Sequence, residues 1–161
     1  MRKNVNHIFI LRMICSTVIA LAITATCNAQ EKKIDSHDLP AAVQKTVAEQ
    51  AKGATIRGYS TEVEKGKRLY EAQLTVNGHS KDISMDASGN ILAIEEEVSS
   101  DSLPANVKEA LTKAAGAGTI TKVESITKNG KLVAYEAAVK SGPKHSEIQV
   151  GPDGNKLIKP E

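Results

Sequence analysis

The chain has 161 residues, a quarter of them charged, and a formal net charge of +2. Arg2, Lys3 and Arg12 lie in the first 29 residues; without them 18 basic residues face 19 acidic ones, a net charge of −1. That balance, with only Tyr59, Tyr70 and Tyr135 as aromatics in the rest of the chain, excludes a nucleic-acid-binding protein, which needs a basic stripe and stacking groups.

Residues 1–29 combine a basic start, an apolar run from Met13 to about Ala25 and small residues at Cys27 and Ala29. The run is shorter than the ~20 apolar residues a spanning helix needs. It therefore reads as a secretory signal cleaved after Ala29, making the product periplasmic or secreted with no membrane span after cleavage. The alternatives are a retained anchor or a lipoprotein carrying its lipid on Cys27. Both cysteines, Cys15 and Cys27, belong to this leader, so the exported chain relies on its core and not on disulfides.

Residues 30–37 read as a short linker, after which the chain repeats itself. "LPAAVQKTVAEQAKGATI" (39–56) aligns without a gap on "LPANVKEALTKAAGAGTI" (103–120), with 7 of 18 positions identical. "YEAQLTVNGHSKDISMDASGNIL" (70–92) aligns on "YEAAVKSGPKHSEIQVGPDGNKL" (135–157), with 7 of 23 identical. The offset grows from 64 to 65, so one unit has been duplicated with a single insertion between the blocks. The units run over 38–98 and 102–161, joined by a linker at 99–101.

Each unit opens with a helix. Pro40 and Pro104 suit a first turn, and Leu39, Val43, Val47, Ala51 and Leu103, Val107, Leu111, Ala115 form one apolar stripe each. Gly53, and Gly116 or Gly118, end the helices. Turn signals follow at 64–67, 77–78 and 86–90, and again at 128–131, 141–143 and 152–155. Three turns predict a four-stranded antiparallel meander in each unit.

Strand alternation assigns the faces. Tyr70, Ala72, Leu74 and Val76 point to the core, joined by Ile83, Met85, Leu92 and Ile94; in the second unit Tyr135, Ala137, Val139, Ile148 and Val150 do the same. Glu71, Gln73, Thr75, Asp82, Ser84 and Glu136 face outward and are the candidate binding residues. A unit of ~60 residues buries only ~60% of its unfolded surface, so the two units are expected to pack together or share one sheet.

No pattern for catalysis is present: outside the leader the histidines are His37, His79 and His145, and no nucleophile elbow, metalloprotease helix or phosphate loop occurs. No cofactor is expected. "HSKD" and "HSE" around His79 and His145 read as turn residues, because a zinc site needs three or four ligands. The Asp-Gly loops at 86–90 and 152–155 lack the oxygens and closing Glu of a calcium loop and read as glycine-bulge turns. The run Glu95–Glu97 with Asp101 reads as a solvated strand end. The runner-up to a binding protein is a cation-responsive envelope protein using that acidic run or the two histidines.

A leader, tandem "LP-A-V" helices, "YEA" strands and "D-x-x-G-N-x-L" loops together resemble the PepSY-like domains of exported bacterial proteins, grouped with the beta-lactamase-inhibitor-like fold. The resemblance covers residues 38–161. It implies an α+β fold of two helix-on-sheet units whose strands join into one curved sheet with the helices on one face. It also implies action by binding a protein or peptide, in some members by restraining proteases. The inhibitor proper departs from this chain, being built with disulfides and an aromatic-rich concave face.

Overall fold

The computed structural model describes residues 31–157 and 161. The leader, its two cysteines and the expected cleavage point lie outside the described residues.

The helices start where the prolines allow. Pro40 and Pro104 stand at the N-caps, and their carbonyls accept the first helical bonds, from Gln44 at 2.9 Å and Lys108 at 3.0 Å. Helix α1 spans Ala41–Gln50 and α2 spans Ala105–Ala115. Beyond α1 the chain reverses through Gly53, and α2 is capped by Gly116, both at positive φ. At 10 and 11 residues both helices are too short to hold alone even with alanine-rich sequences, so their order comes from the stripe they bury.

Among the described residues, eight strands form one open antiparallel sheet in chain order: β1 Lys32–Ile34, β2 Thr55–Glu64, β3 Lys67–Val76, β4 His79–Asp86, β5 Ile91–Glu97, β6 Thr119–Lys128, β7 Lys131–Ser141 and β8 Lys144–Val150. Residues read as a linker thus supply an edge strand, with Ile34 opposite Tyr59. In the second half the last meander strand is reduced, among the described residues, to a single bridge between Val150 and Lys156. Three hairpins close on a non-glycine residue at positive φ followed by glycine (Lys65-Gly66, Asn77-Gly78, Asn129-Gly130), the backbone that matches strand twist.

Both helices cover the same side of the sheet. Under α1, Leu39, Val43 and Val47 pack on Ala72, Leu74, Ile83 and Met85, with Tyr59, Tyr70 and Ile94 at the margin. Under α2, Val107 and Leu111 pack on Val123, Ala137 and Val150, with Tyr135 and Ile148 at the margin. The YEA words therefore fall in the middle of β3 and β7, not at the start of a strand, with Ala in the core and Tyr at its margin. One expected core residue is replaced: a bulge between Ser84 and Met85 brings Ile91, not Leu92, against the first core. A bulge admits one extra residue and inverts the alternation beyond it.

The two loops read as turns also clamp the helices. Asp86 accepts backbone bonds from Ser88 (2.8 Å) and Asn90 (3.0 Å), and Asp153 accepts one from Asn155 (3.0 Å). These bonds hold both carboxyl groups below the usual range, the Asn90 side chain being the largest cause for Asp86 and the Asn155 amide for Asp153. Their glycines touch the first helical turns: a Cβ on Gly89 would lie 2.6 Å from the Ala42 carbonyl oxygen, and one on Gly154 2.7 Å from that of Asn106. Thr46 donates to the Gly89 carbonyl at 2.8 Å, and the Asn106 amide donates to that of Asp153 at 2.6 Å.

Candidate functional site

Among the described residues no helix covers the other face of the sheet, which carries two adjoining rungs of polar side chains. Gln73 stands opposite Asp82, Asp82 opposite Glu95, and Glu95 opposite Ile126. In the neighbouring rung Glu97 stands opposite Glu124, Glu124 opposite Glu136, and Glu136 opposite Gln149. Glu71 and Ser84 form a further pair alongside. Three like-charged pairs thus sit directly across from one another, an arrangement that costs stability wherever it occurs.

Two cations answer this charge. A bulge between Ile56 and Gly58 makes Arg57 an extra residue of β2 and turns its side chain over the sheet. Its guanidinium pairs with Asp82, and its Nε donates to the Leu74 carbonyl at 3.1 Å. The corresponding bulge in the second half precedes Lys122, whose Nζ lies 2.8 Å from the buried Glu124 carboxylate. Ser80 donates its amide (3.1 Å) and hydroxyl (3.2 Å) to Glu97, and the backbone bond above all holds that carboxyl below its ordinary range.

Four carboxyls are pushed the other way. Burial raises Glu71 against the Gln73 hydrogen bond, and the charges of Asp82, Glu31 and Glu62 add to it. Burial raises Asp82 despite Arg57. Glu136 is raised by burial against its bond from Gln149, with Glu147 and Glu124 adding. Glu95 moves furthest, to about 7, through burial first and then the charges of Glu136, Glu124, Glu71 and Asp82. Ile126 and Ala134, 2% and 0% exposed, lie in the same rung as Glu95. Glu161 reaches this face as well, with its amide on the Gln149 side-chain oxygen at 2.8 Å and its carboxylate 3.5 Å from Lys128.

All six sequence-derived candidates, Glu71, Gln73, Thr75, Asp82, Ser84 and Glu136, lie on this one face. Arg57, Lys122, Glu124 and Gln149 were missed, and Glu95 and Glu97 entered only through the acidic run of the runner-up reading. The acidic run does not act as one group: Glu95 and Glu97 point to the helix-free face, whereas Glu96 points to the other and sits 3.7 Å from Lys81. Asp101 belongs to a turn beside α2, 3.4 Å from Lys108. Carrying the period of two from β4 through β5 would have shown this division. His79 and His145 stand on β4 and β8, four strand spacings or ~19 Å apart, too far to share an ion. Among the described residues, Asp35, His37 and Asp38 come close enough to suggest a metal, but they are exposed and lie in a surface turn.

A cleft of about 1160 Å³ opens between α2 and β8, lined by residues such as Asn106, Lys113, Glu147 and Asn155. It reaches the acidic face at Glu136, Glu147 and Gln149. No helix among the described residues is long and apolar enough to cross a membrane.

A duplicated helix-and-meander chain with a bare, carboxylate-rich sheet face is an α+β repeat protein of the inhibitor-like type. The family model described as beta-lactamase-inhibitor-like, PepSY-like matches residues 25–93 and again 68–157, and the chain belongs to that family. Solved structures show the same fold. A DUF2874 family protein from Bacteroides ovatus is 20% identical with a TM-score of 0.58, covering 74% of this chain and 84% of that one. A protein from Bacteroides eggerthii, described as periplasmic, is 18% identical with a TM-score of 0.60, covering 74% and 86%. A BLIP-like protein from Bacteroides fragilis is 24% identical with a TM-score of 0.53, covering 72% and 81%. None of the curated proteins matches the chain.

Proposed function

We propose that this protein is an exported, non-enzymatic binding module that holds a protein or peptide of the cell envelope on its helix-free sheet face. The observation carrying this reading is the concentration of half-buried polar groups on the face that no helix among the described residues covers. A monomeric fold gains nothing from three opposed carboxylate pairs, and such costs persist where a surface has another role. The BLIP-like and periplasmic descriptions of its structural relatives agree with a binder working outside the cytoplasm. The leader at 1–29 and a division into binding units at 38–98 and 102–161 complete the reading.

Catalysis fits the same surface poorly. Carboxylate pairs in hydrolases work in a cleft that excludes water around the reacting bond. Here they stand on an open sheet, and the large cleft lies at the far edge beside α2.

Replacing Gln73 and Thr75 together with Arg tests the face. Both side chains are only half-buried, so the double variant folds with an unchanged circular dichroism spectrum. Cross-linking capture from cell-envelope extract loses its specific partner with the variant as bait. Equal capture by both baits removes this face from the function.

A further inference from the structure

In the two polar rungs at the middle of the helix-free face every carboxylate but one has a partner, as does Glu71 beside them; Glu62 on β2 and Glu147 on β8 belong to the same face but stand out towards its edges. Asp82 has Arg57, Glu124 has Lys122, Glu97 has Ser80, Glu71 has Gln73 and Glu136 has Gln149. Among the described residues, Glu95 has neither a cation nor a hydrogen-bond donor. It sits at the centre of the face on β5, where β4 presents Asp82 directly opposite, with Arg57 of β2 already on that carboxylate. From β6 it faces Glu124, whose charge is matched by Lys122, and the apolar Ile126. Glu71 of β3 and Glu136 of β7 stand beyond, and Glu97 follows on its own strand. Lys81, the near cation of β4, points to the opposite face and pairs with Glu96.

We infer that Glu95 is a proton switch for this face: taking up a proton removes the unmatched charge at its centre, losing it restores that charge, and occupancy of the face by a partner follows. This rests on the face being the binding surface. The location makes the switch effective, because a half-buried carboxyl among four others is where ionisation meets most resistance. Burial and those neighbours put its transition at about 7, so it changes state near neutrality. The folded protein therefore keeps a proton that the unfolded chain, with a carboxyl near 4.5, gives up first. Stability is highest below that lower value and is lost as pH rises through the upper one.

The test is a carbon-detected NMR titration of the glutamate carboxyls, with urea midpoints at about pH 5.5 and about pH 8, on the wild type, Glu95→Gln and Glu96→Gln. One glutamate carboxyl is expected to titrate near 7 in the wild type and in Glu96→Gln, and to be missing from Glu95→Gln. The wild-type urea midpoint falls between the two pH values, and Glu95→Gln loses most of that fall. Overturning results are a wild type whose glutamates all titrate below about pH 6, or a Glu95→Gln protein that keeps the whole fall. Either would leave the binding reading in place, since that reading is decided by capture with the Gln73 and Thr75 variant and not by titration.

Discussion

Replacing Gly89 with Ala isolates how strongly the loop after β4 is bound to α1. Gly89 has φ +76°, and an added Cβ would lie 2.6 Å from the Ala42 carbonyl oxygen and 2.9 Å from both the Ala42 carbon and Thr46 Oγ1. A left-handed backbone costs a non-glycine residue about 1–2 kcal/mol. The contact with helix backbone has no flexible end to yield, so loop or helix must shift, at about 1–3 kcal/mol for overpacking. The Thr46 hydroxyl bond to the Gly89 carbonyl weakens with it, at about 1 kcal/mol. Gly66 provides the control, with φ +77° and nothing within 4 Å, so Gly66→Ala bears the backbone cost alone. For a domain of ~130 residues, 1 kcal/mol corresponds to ~4 °C in Tm. Thermal melts by circular dichroism are expected to fall by ~10 °C or more for Gly89→Ala and ~4–8 °C for Gly66→Ala. If the two variants melt together, the loop does not press on the helix and the clamp is absent.

Two further outcomes follow from the packing and the charges. Leu111→Ala removes a side chain 1% exposed from a cluster with only five buried members, at about 2–5 kcal/mol, and hydrogen exchange should speed up in β6–β8 before β2–β4. Glu95→Gln should stabilise the protein at alkaline pH. A shift from 4.5 to about 7 bounds the effect near ~3 kcal/mol, and partial exposure reduces it to about 1–2 kcal/mol, vanishing at about pH 4. Urea unfolding at the two pH values measures it.

Much of this architecture was legible from two periodicities and one duplication. Proline-led helices, Asn-Gly turns and the alternation of β3 translated directly into elements and faces, because each depends on nearest neighbours along the chain. The misplaced residues depend on what lies across the sheet. Ile91 displaces Leu92 because β4 and β5 meet through a bulge, which no count along β5 discloses. Glu95 read as solvated because three consecutive acids resemble a surface run; only pairing with Asp82 and Ile126 brings it to the centre of a face. Arg57 was invisible for the same reason, since its reach to Asp82 depends on the bulge that turns it over the sheet. The edge strand Lys32–Ile34 is too short and too charged to announce itself.

The strand order of the sheet is the order of the chain, so every strand hydrogen-bonds to one already laid down or to the next to follow. Five of the seven pairings close across a tight turn, and the other two, β1 with β2 and β5 with β6, across a segment that holds one α-helix, so no pairing waits on a strand from the other end of the chain. Growth can proceed by adding one hairpin arm at a time from either end. Two equivalent halves, each with its own helix and buried cluster, offer two starting points. A polypeptide threaded through a narrow pore in an extended state would suit such a plan, because its first half can form a sheet while the second is still arriving.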